Sequence, residues 1–243
     1  MRSFARRHRV LVVVLAVAGL LSLGVGAVGV LAYCDFVGCT LGSEEFAPNG
    51  DEASAARAAA TAEVAALADR VVAGHEVLAD GTVDGCIRGF NDWKRKDTYS
   101  HECSVADSRL VLVTSERDAV ADGLTAADAG LRAAGCRPVT PRSGLERVRD
   151  EYWSEANPQV RQRGAAGLPG GSYSCPGGVT VEVQPTSSEE SVGTMAPASD
   201  PVFLDDVLHE DWYTPADVTT LRGSGAALAL VVTARSTYYR TRF

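Results

Sequence analysis

The sequence predicts an α+β protein with one N-terminal transmembrane helix, followed by an extracytoplasmic domain whose helices pack on one face of an antiparallel sheet. Three observations predict it. An uncharged apolar run fills residues 10–32, all six cysteines lie beyond that run, and the remainder alternates between helical and period-two apolar spacing.

Residues 1–9 carry Arg2, Arg6, Arg7 and Arg9 and no acidic side chain, which holds this end on the cytoplasmic side. Val10 to Ala32 has Ser22 as its only distinctly polar residue. At ~1.5 Å per residue its length matches ~30 Å of hydrocarbon. Gly19, Gly24, Gly26 and Gly29 are tolerated in such a helix, where no water competes for the backbone. A cleaved signal peptide is the main rival, with Val30-Leu31-Ala32 as a small-residue cleavage site, but the apolar run exceeds the usual ~7 to 15 residues. Leu31-Ala32-Tyr33-Cys34 resembles a lipobox, with bulky Tyr33 where a small residue is required. Arg6-Arg7 resembles a twin-arginine signal, with Arg9 out of place in it. The expected organisation is a cytoplasmic N-terminus at 1–9, a span at 10–32, a tether at 33–50 and a disulfide-stabilised domain at 51–243.

The cysteines agree with an oxidising compartment. Cys34, Cys39, Cys86, Cys103, Cys136 and Cys175 are even in number, and nearest-neighbour pairing gives Cys34–Cys39, Cys86–Cys103 and Cys136–Cys175. No C-x2-C pair occurs, and the histidines are only His8, His75, His101 and His209, so no metal site is expected.

Asp51 opens an Ala-rich helix running to about Ala79, with Val64, Leu67, Val71 and Leu78 on one stripe. Val83 to Phe90 and Ser108 to Thr114 read as strands; Leu110 to Val113 is apolar on both faces and belongs in the middle of its sheet. Ser115 to Asp118 resembles a capping box ahead of a helix that ends near Ala134, with Val120, Leu124 and Leu131 inward and Gly135 at the turn. Ser143 to Ala156 reads as a charged helix that buries Leu145, Val148 and Tyr152 and stops at Pro158. Gly164 to Gly178 reads as loop. Val179, Val181 and Val183 alternate with Thr180, Glu182 and Gln184, the pattern of a strand buried on one face. Residues 187–200 read as a flexible segment. Thr214-Pro215 then starts a short helix, and an apolar strand from Ala226 to Thr233 alternates onward towards Phe243.

Charge narrows the partners. Removing the four N-terminal arginines from 23 basic residues leaves 19 against 31 acidic ones, a formal charge of −12 for the rest of the chain. Such a surface repels phosphate backbones, so no nucleic acid is expected. The partners expected are the membrane, through residues 10–32, and an envelope protein or cell-wall polymer. No cofactor is expected.

The best binding candidate is the loop between Cys86 and Cys103. Arg88, Trp93, Lys94, Arg95, Lys96 and Tyr99 make a basic and aromatic cluster on an acidic domain, and aromatics beside arginine are good contact anchors. A solvated hairpin tip with Trp93 folded onto the core is the bland alternative. The glycine-dense stretch Gly164 to Ser172 resembles a phosphate loop without its lysine and reads as plain loop. His209-Glu210-Asp211, with Asp205 and Asp206, supplies carboxylates and an imidazole but no second histidine four residues on. No Gly-x-Ser-x-Gly or Ser-x-x-Lys nucleophile motif occurs. These readings favour a non-catalytic binding or regulatory domain over the alternative, an extracytoplasmic hydrolase built around His209. The nine residues ahead of the span are too few for a cytoplasmic output domain.

Overall fold

A computed structural model describes residues 46–90, 96–154, 156–188, 206–211 and 215–243. They fall into two compact units. One comprises Phe46–Arg88 and His101–Arg240, and the other includes Gly89–Ser100 and Thr241–Phe243. The predicted span at 10–32, the Cys34–Cys39 pair and nearly all of the 187–200 segment lie outside the described residues. No helix among the described residues is long and apolar enough to cross a membrane.

The larger unit is built on a 7-stranded sheet of order β3-β4-β5-β7-β2-β1-β6. Its strands are β1 (Glu76–Arg88), β2 (His101–Thr114), β3 (Arg137–Pro138), β4 (Gly171–Ser174), β5 (Thr180–Thr186), β6 (Asp206–Asp211) and β7 (Leu228–Thr241). The β1–β2, β1–β6, β3–β4, β4–β5 and β5–β7 pairs are antiparallel. In the remaining pair Ala227 N–H donates to Thr114 O at 3.0 Å, and Ser108 Oγ lies 2.8 Å from Thr233 Oγ1. One residue number falls as the other rises, so β2 and β7 are antiparallel too.

Among the described residues five helices cover this sheet: α1 (Asp51–Val71), α2 (Val120–Ala133), α3 (Leu145–Tyr152), α4 (Pro158–Arg163) and α5 (Pro215–Ser224). On the first face Val64, Leu67, Val120, Leu124, Leu131, Leu145, Val148 and Val160 from α1–α4 pack against Val105 and Val111 of β2, Val181 and Val183 of β5, and Leu228, Leu230 and Val232 of β7. The second face is also covered, in part. Leu221 of α5 packs with Ala79, Leu110, Ala226, Ala229 and Val231 in a separate cluster. The expectation of helices on one face is thereby corrected. Its physical reason lies in β2 itself: Leu110 and Val111 point to opposite faces and both are buried, so a single helical layer leaves one of them in water.

Several elements differ in extent from expectation. Helix α1 stops at Val71, and Gly74 takes φ +86°, a turn that an L side chain resists. Residues 76–79, expected to be helical, open β1 with Glu76 opposite Leu112 and Ala79 opposite Leu110. At the start of α2 a 3-10 turn, Arg117–Ala119, replaces the capping box, and no side chain caps the helix. Thr114 Oγ1 instead accepts from Glu116 N at 3.0 Å. Pro158 begins α4 rather than merely ending α3, because the Asn157 side chain accepts from Gln159 N at 3.0 Å and a proline fits the first helical turn. The presumed loop from Gly164 to Gly178 contains β4, whose Tyr173 is fully buried.

Two of the predicted cystines are present. Cys86–Cys103 joins directly opposed residues of the β1–β2 hairpin, and Cys136–Cys175 ties the end of α2 to the end of β4, each with Cα atoms 4.0 Å apart. All four half-cystines are buried.

Candidate functional site

The predicted binding loop leaves the hairpin beyond the Arg88–His101 pair. Arg88 is exposed and His101 is half-buried, its ring stacked on Phe46 with centroids 4.0 Å apart and 14° between planes. Within the smaller unit Gly89 N–H donates to Ser100 O at 2.8 Å, and Asp97 N–H to Phe90 O at 2.7 Å. Asp97 Oδ2 accepts from Phe90 N at 2.8 Å. Gly89 is required here, because a Cβ would lie 1.9 Å from Tyr99 O. Buried Ser100 fixes this loop to the chain end: its N–H donates to Thr241 O at 2.8 Å, and its hydroxyl lies 2.8 Å from Thr241 Oγ1. Phe90 and Lys96 are exposed and Tyr99 is half-buried. Trp93, Lys94 and Arg95 lie outside the described residues.

Among the described residues the buried carboxylates of the larger unit are held in ion pairs and hydrogen bonds within the fold. Beneath α1, Arg57 Nε meets Asp84 Oδ2 at 2.8 Å, and Tyr238 OH donates to Asp84 Oδ1 at 2.7 Å. Burial first, and then the bond to that carboxylate, pushes the Tyr238 phenol up to about 12. Along the same side of β2, Arg109 Nη2 donates to buried Asp107 Oδ2 at 3.1 Å, and Nε lies 2.9 Å from Oδ1 without hydrogen-bond alignment. Asp80 and Asp69 complete that cluster at 3.1 and 3.5 Å from Arg109. Burial raises the Asp107 carboxyl, Arg109 opposes the shift, and the two other aspartates add to it.

A third network links three elements. Tyr173 OH donates to Asp128 Oδ1 at 2.5 Å and accepts from Leu145 N at 2.7 Å, while Arg132 Nε donates to Asp128 Oδ2 at 2.5 Å. Burial alone raises the Asp128 carboxyl, but the Tyr173 and Arg132 bonds together outweigh it and leave it lowered. Burial and the Asp128 bond both push the Tyr173 phenol up.

β6 places His209 opposite Asp84 in the ladder, and the Asp84 carboxylate is already bound by Arg57 and Tyr238. Asp206 to Asp211 form β6, and Asp205 lies outside the described residues. His75 sits in the turn after α1 and donates its backbone N–H to Val72 O at 3.0 Å. Among the described residues no group of three His, Cys, Asp or Glu side chains is placed to hold a metal ion.

One concavity of the larger unit was not foreseen. It is an open cleft of about 900 Å³ over the second sheet face, beside the part that α5 covers. Its floor is set by register: Ser172 lies opposite Glu182, Glu182 opposite Thr233, and Gln184 opposite Val231. Tyr152, Gln159 and Arg163 and the stretch from Ala166 to Gly171 wall it. The glycines that resemble a phosphate loop are here for close packing. A Cβ on Gly167 would lie 2.5 Å from Gln159 O, and one on Gly170 would lie 2.8 Å from Gln184 Oε1. Gln184 in turn donates to Leu168 O at 3.2 Å.

Other polar groups in the cleft are unengaged. Among the described residues no hydrogen bond or ion pair involves the side chains of Gln159, Ser172 or Glu182. The buried Thr186 hydroxyl, also part of the lining, has no partner among them either. Alternation in β5 marked Glu182 and Gln184 as outward-facing but carried no sign that a loop and α4 rise beside them. No protein-family model matches this chain, and neither does any curated protein or solved structure.

Proposed function

We propose that this protein is a single-pass, membrane-anchored extracytoplasmic domain that binds a component of the cell envelope and performs no catalysis. The observation that carries the reading is the division of polar groups in the larger unit. Among the described residues the three buried carboxylates, Asp84, Asp107 and Asp128, are each bound by an arginine, whereas the open cleft retains unengaged polar side chains. Groups locked in structural ion pairs are poor acids and bases, because their protonation is tied to folding. Open polar groups in a concavity are what a ligand needs.

Two buried cystines support an oxidising compartment. The arginines before residue 10 and the apolar run at 10–32 support a cytoplasmic N-terminus and an anchored domain. The basic and aromatic loop, Arg88 with Trp93, Lys94, Arg95, Lys96 and Tyr99, is retained in this proposal as a second contact surface. The test of anchorage is fractionation of the full chain. It should stay with membranes through an alkaline carbonate wash and keep residue 1 or 2 at its N-terminus. A mature soluble chain beginning at Tyr33 would overturn the anchor.

A further inference from the structure

We infer that the larger unit has a membrane-facing end, the sheet end where the chain enters it, and that this end lies on anionic lipid headgroups. The assignment rests on the anchored reading above and gives its second contact surface a partner. Several contacts fix the entry point. The Phe46 ring stacks on His101 and stands 6.3 Å from the Tyr239 ring, and Ala47 N–H donates to Tyr239 OH at 3.3 Å. Arg57 Nη2 donates to Pro48 O at 3.0 Å, and the same guanidinium is held by Asp84. Residues 46–48 are thereby pinned across the start of β2 and the end of β7. The hairpin closes at the same place, since Arg88 is the partner of His101 in the β1–β2 ladder. β1 ends here, β2 begins and β7 runs out at Thr241.

Reach keeps that end near the bilayer. Thirteen residues, 33–45, separate the apolar run from Phe46. Fully extended they span about 45 Å, and a link of that length holds the domain at an effective concentration of the order of mM against the membrane. A weak contact therefore suffices. The chain beyond residue 32 carries a formal charge of −12, yet this end presents basic side chains. In the larger unit Arg88 and Arg240 are exposed, Arg240 being paired also with Glu102. The smaller unit, joined at 88–89 and 240–241, has Lys96 and Arg242 exposed and Asp97 as the acidic side chain among its described residues. Each basic residue beside an anionic surface strengthens binding about fivefold. Phe90, 52% exposed, adds an apolar contact of the kind that enters the headgroup region. The cleft stays clear of this end. Thr233 of its lining lies six residues back along β7 from Tyr239, roughly 20 Å at about 3.3 Å per residue.

The test reconstitutes the full chain in lipid nanodiscs, either of phosphatidylcholine or of an equal mixture of phosphatidylcholine and phosphatidylglycerol, and follows amide hydrogen exchange. Exchange in 96–101 and 238–243 should be slowed at least about threefold in the anionic discs relative to the neutral ones, and the difference should vanish in about 0.5 M salt. The cleft segments 166–172 and 180–186 should not respond. Arg88→Glu combined with Lys96→Glu, both at exposed sites, should keep the melting temperature and lose the lipid dependence. Salt needs no substitution, so the docking remains refutable where that variant fails to fold. Equal exchange in the two discs, a difference indifferent to salt, or slowing confined to the cleft segments would each overturn it. Slowing in native membranes but in neither disc would overturn the lipid assignment in favour of a membrane protein. The carbonate wash reads the anchor separately. A chain that resists the wash without lipid-dependent exchange removes the docking and leaves the anchor standing, whereas a chain released by the wash removes both.

Discussion

Replacing Tyr173 with Phe removes one oxygen from a buried polar network of the larger unit and leaves the ring in place. That oxygen makes two bonds, one to the Asp128 carboxylate at 2.5 Å and one from the Leu145 N–H at 2.7 Å. Leu145 is the first residue of α3, so its N–H has no partner within the helix, and the fully buried Tyr173 admits no water in exchange. Asp128 retains Arg132. A hydrogen bond to a charged group contributes about 1.5 to 3 kcal/mol, and an orphaned buried N–H costs about 1 to 3 kcal/mol. The two are not strictly additive, and a loss of about 3 kcal/mol is expected. Urea unfolding should show it as a lower midpoint with unchanged slope, and thermal melting as a fall of roughly 6 to 12 °C.

The pH dependence supplies a second signature. Asp128 has a folded pKa below its unfolded value, so its stabilisation is complete above the unfolded carboxyl range near pH 4 and is lost as pH falls through the folded value. Tyr173 has the opposite sign. Its folded pKa is raised, so its contribution is complete below about pH 10 and is lost as pH rises towards the folded value. The gap between wild type and Tyr173→Phe should therefore be widest between about pH 5 and pH 9 and narrow on both sides. A loss under about 1 kcal/mol at neutral pH, or a gap that does not change with pH, would refute the network as a stabilising unit.

Three further outcomes follow from the geometry. Replacing Cys136 and Cys175 together by Ala opens a link spanning 39 residues and should cost about 4 kcal/mol in the chain-entropy model, against about 3 kcal/mol for the Cys86–Cys103 link spanning 17, both read by urea unfolding. Gly167→Ala drives a Cβ to 2.5 Å from Gln159 O and should destabilise the domain by about 1 to 3 kcal/mol; an unchanged melting temperature would refute that packing. Gly223→Ala, inside α5 with nothing within 4 Å of the new Cβ, should stabilise by about 0.5 to 1 kcal/mol in the same assay.

Much of the fold was legible because its signals are local. Val179, Val181 and Val183 alternate along one short segment and all three are buried. Val120, Leu124 and Leu131 mark the inward stripe of α2, and Gly135 takes the expected left-handed turn at φ +87°. The Cys86–Cys103 pair matches the nearest-neighbour expectation, although the strand expected from Ser108 begins at His101 and so carries Cys103 itself. Errors arose where an apolar stripe continued across a change of structure. Leu78 keeps the helical spacing of Val64, Leu67 and Val71, so periodicity alone carries the helix through Gly74, whereas the turn there breaks it and Leu78 joins β1. A contradiction was also present in the sequence itself: a strand apolar on both faces requires cover on both, and the weakly amphipathic segment after Pro215 supplies it through Leu221.

The cleft was illegible for a different reason. Its floor residues are brought together by strand order, since β5 lies between β4 and β7, strands that begin at residues 171 and 228. Pairings that distant leave no periodic mark. Its wall depends on three close approaches, at Gly167, Gly170 and Gly171, and a glycine required for packing has the same letter as one required for phosphate binding. What separates the two meanings is the atom facing the missing Cβ. At Gly167 it is a carbonyl oxygen of α4, and at Gly170 it is the side-chain oxygen of Gln184. Both are acceptors that repel a phosphate. The same glycine run that looks like an anion cradle in sequence therefore builds the wall of the cleft by close packing, beside the Glu182 carboxylate.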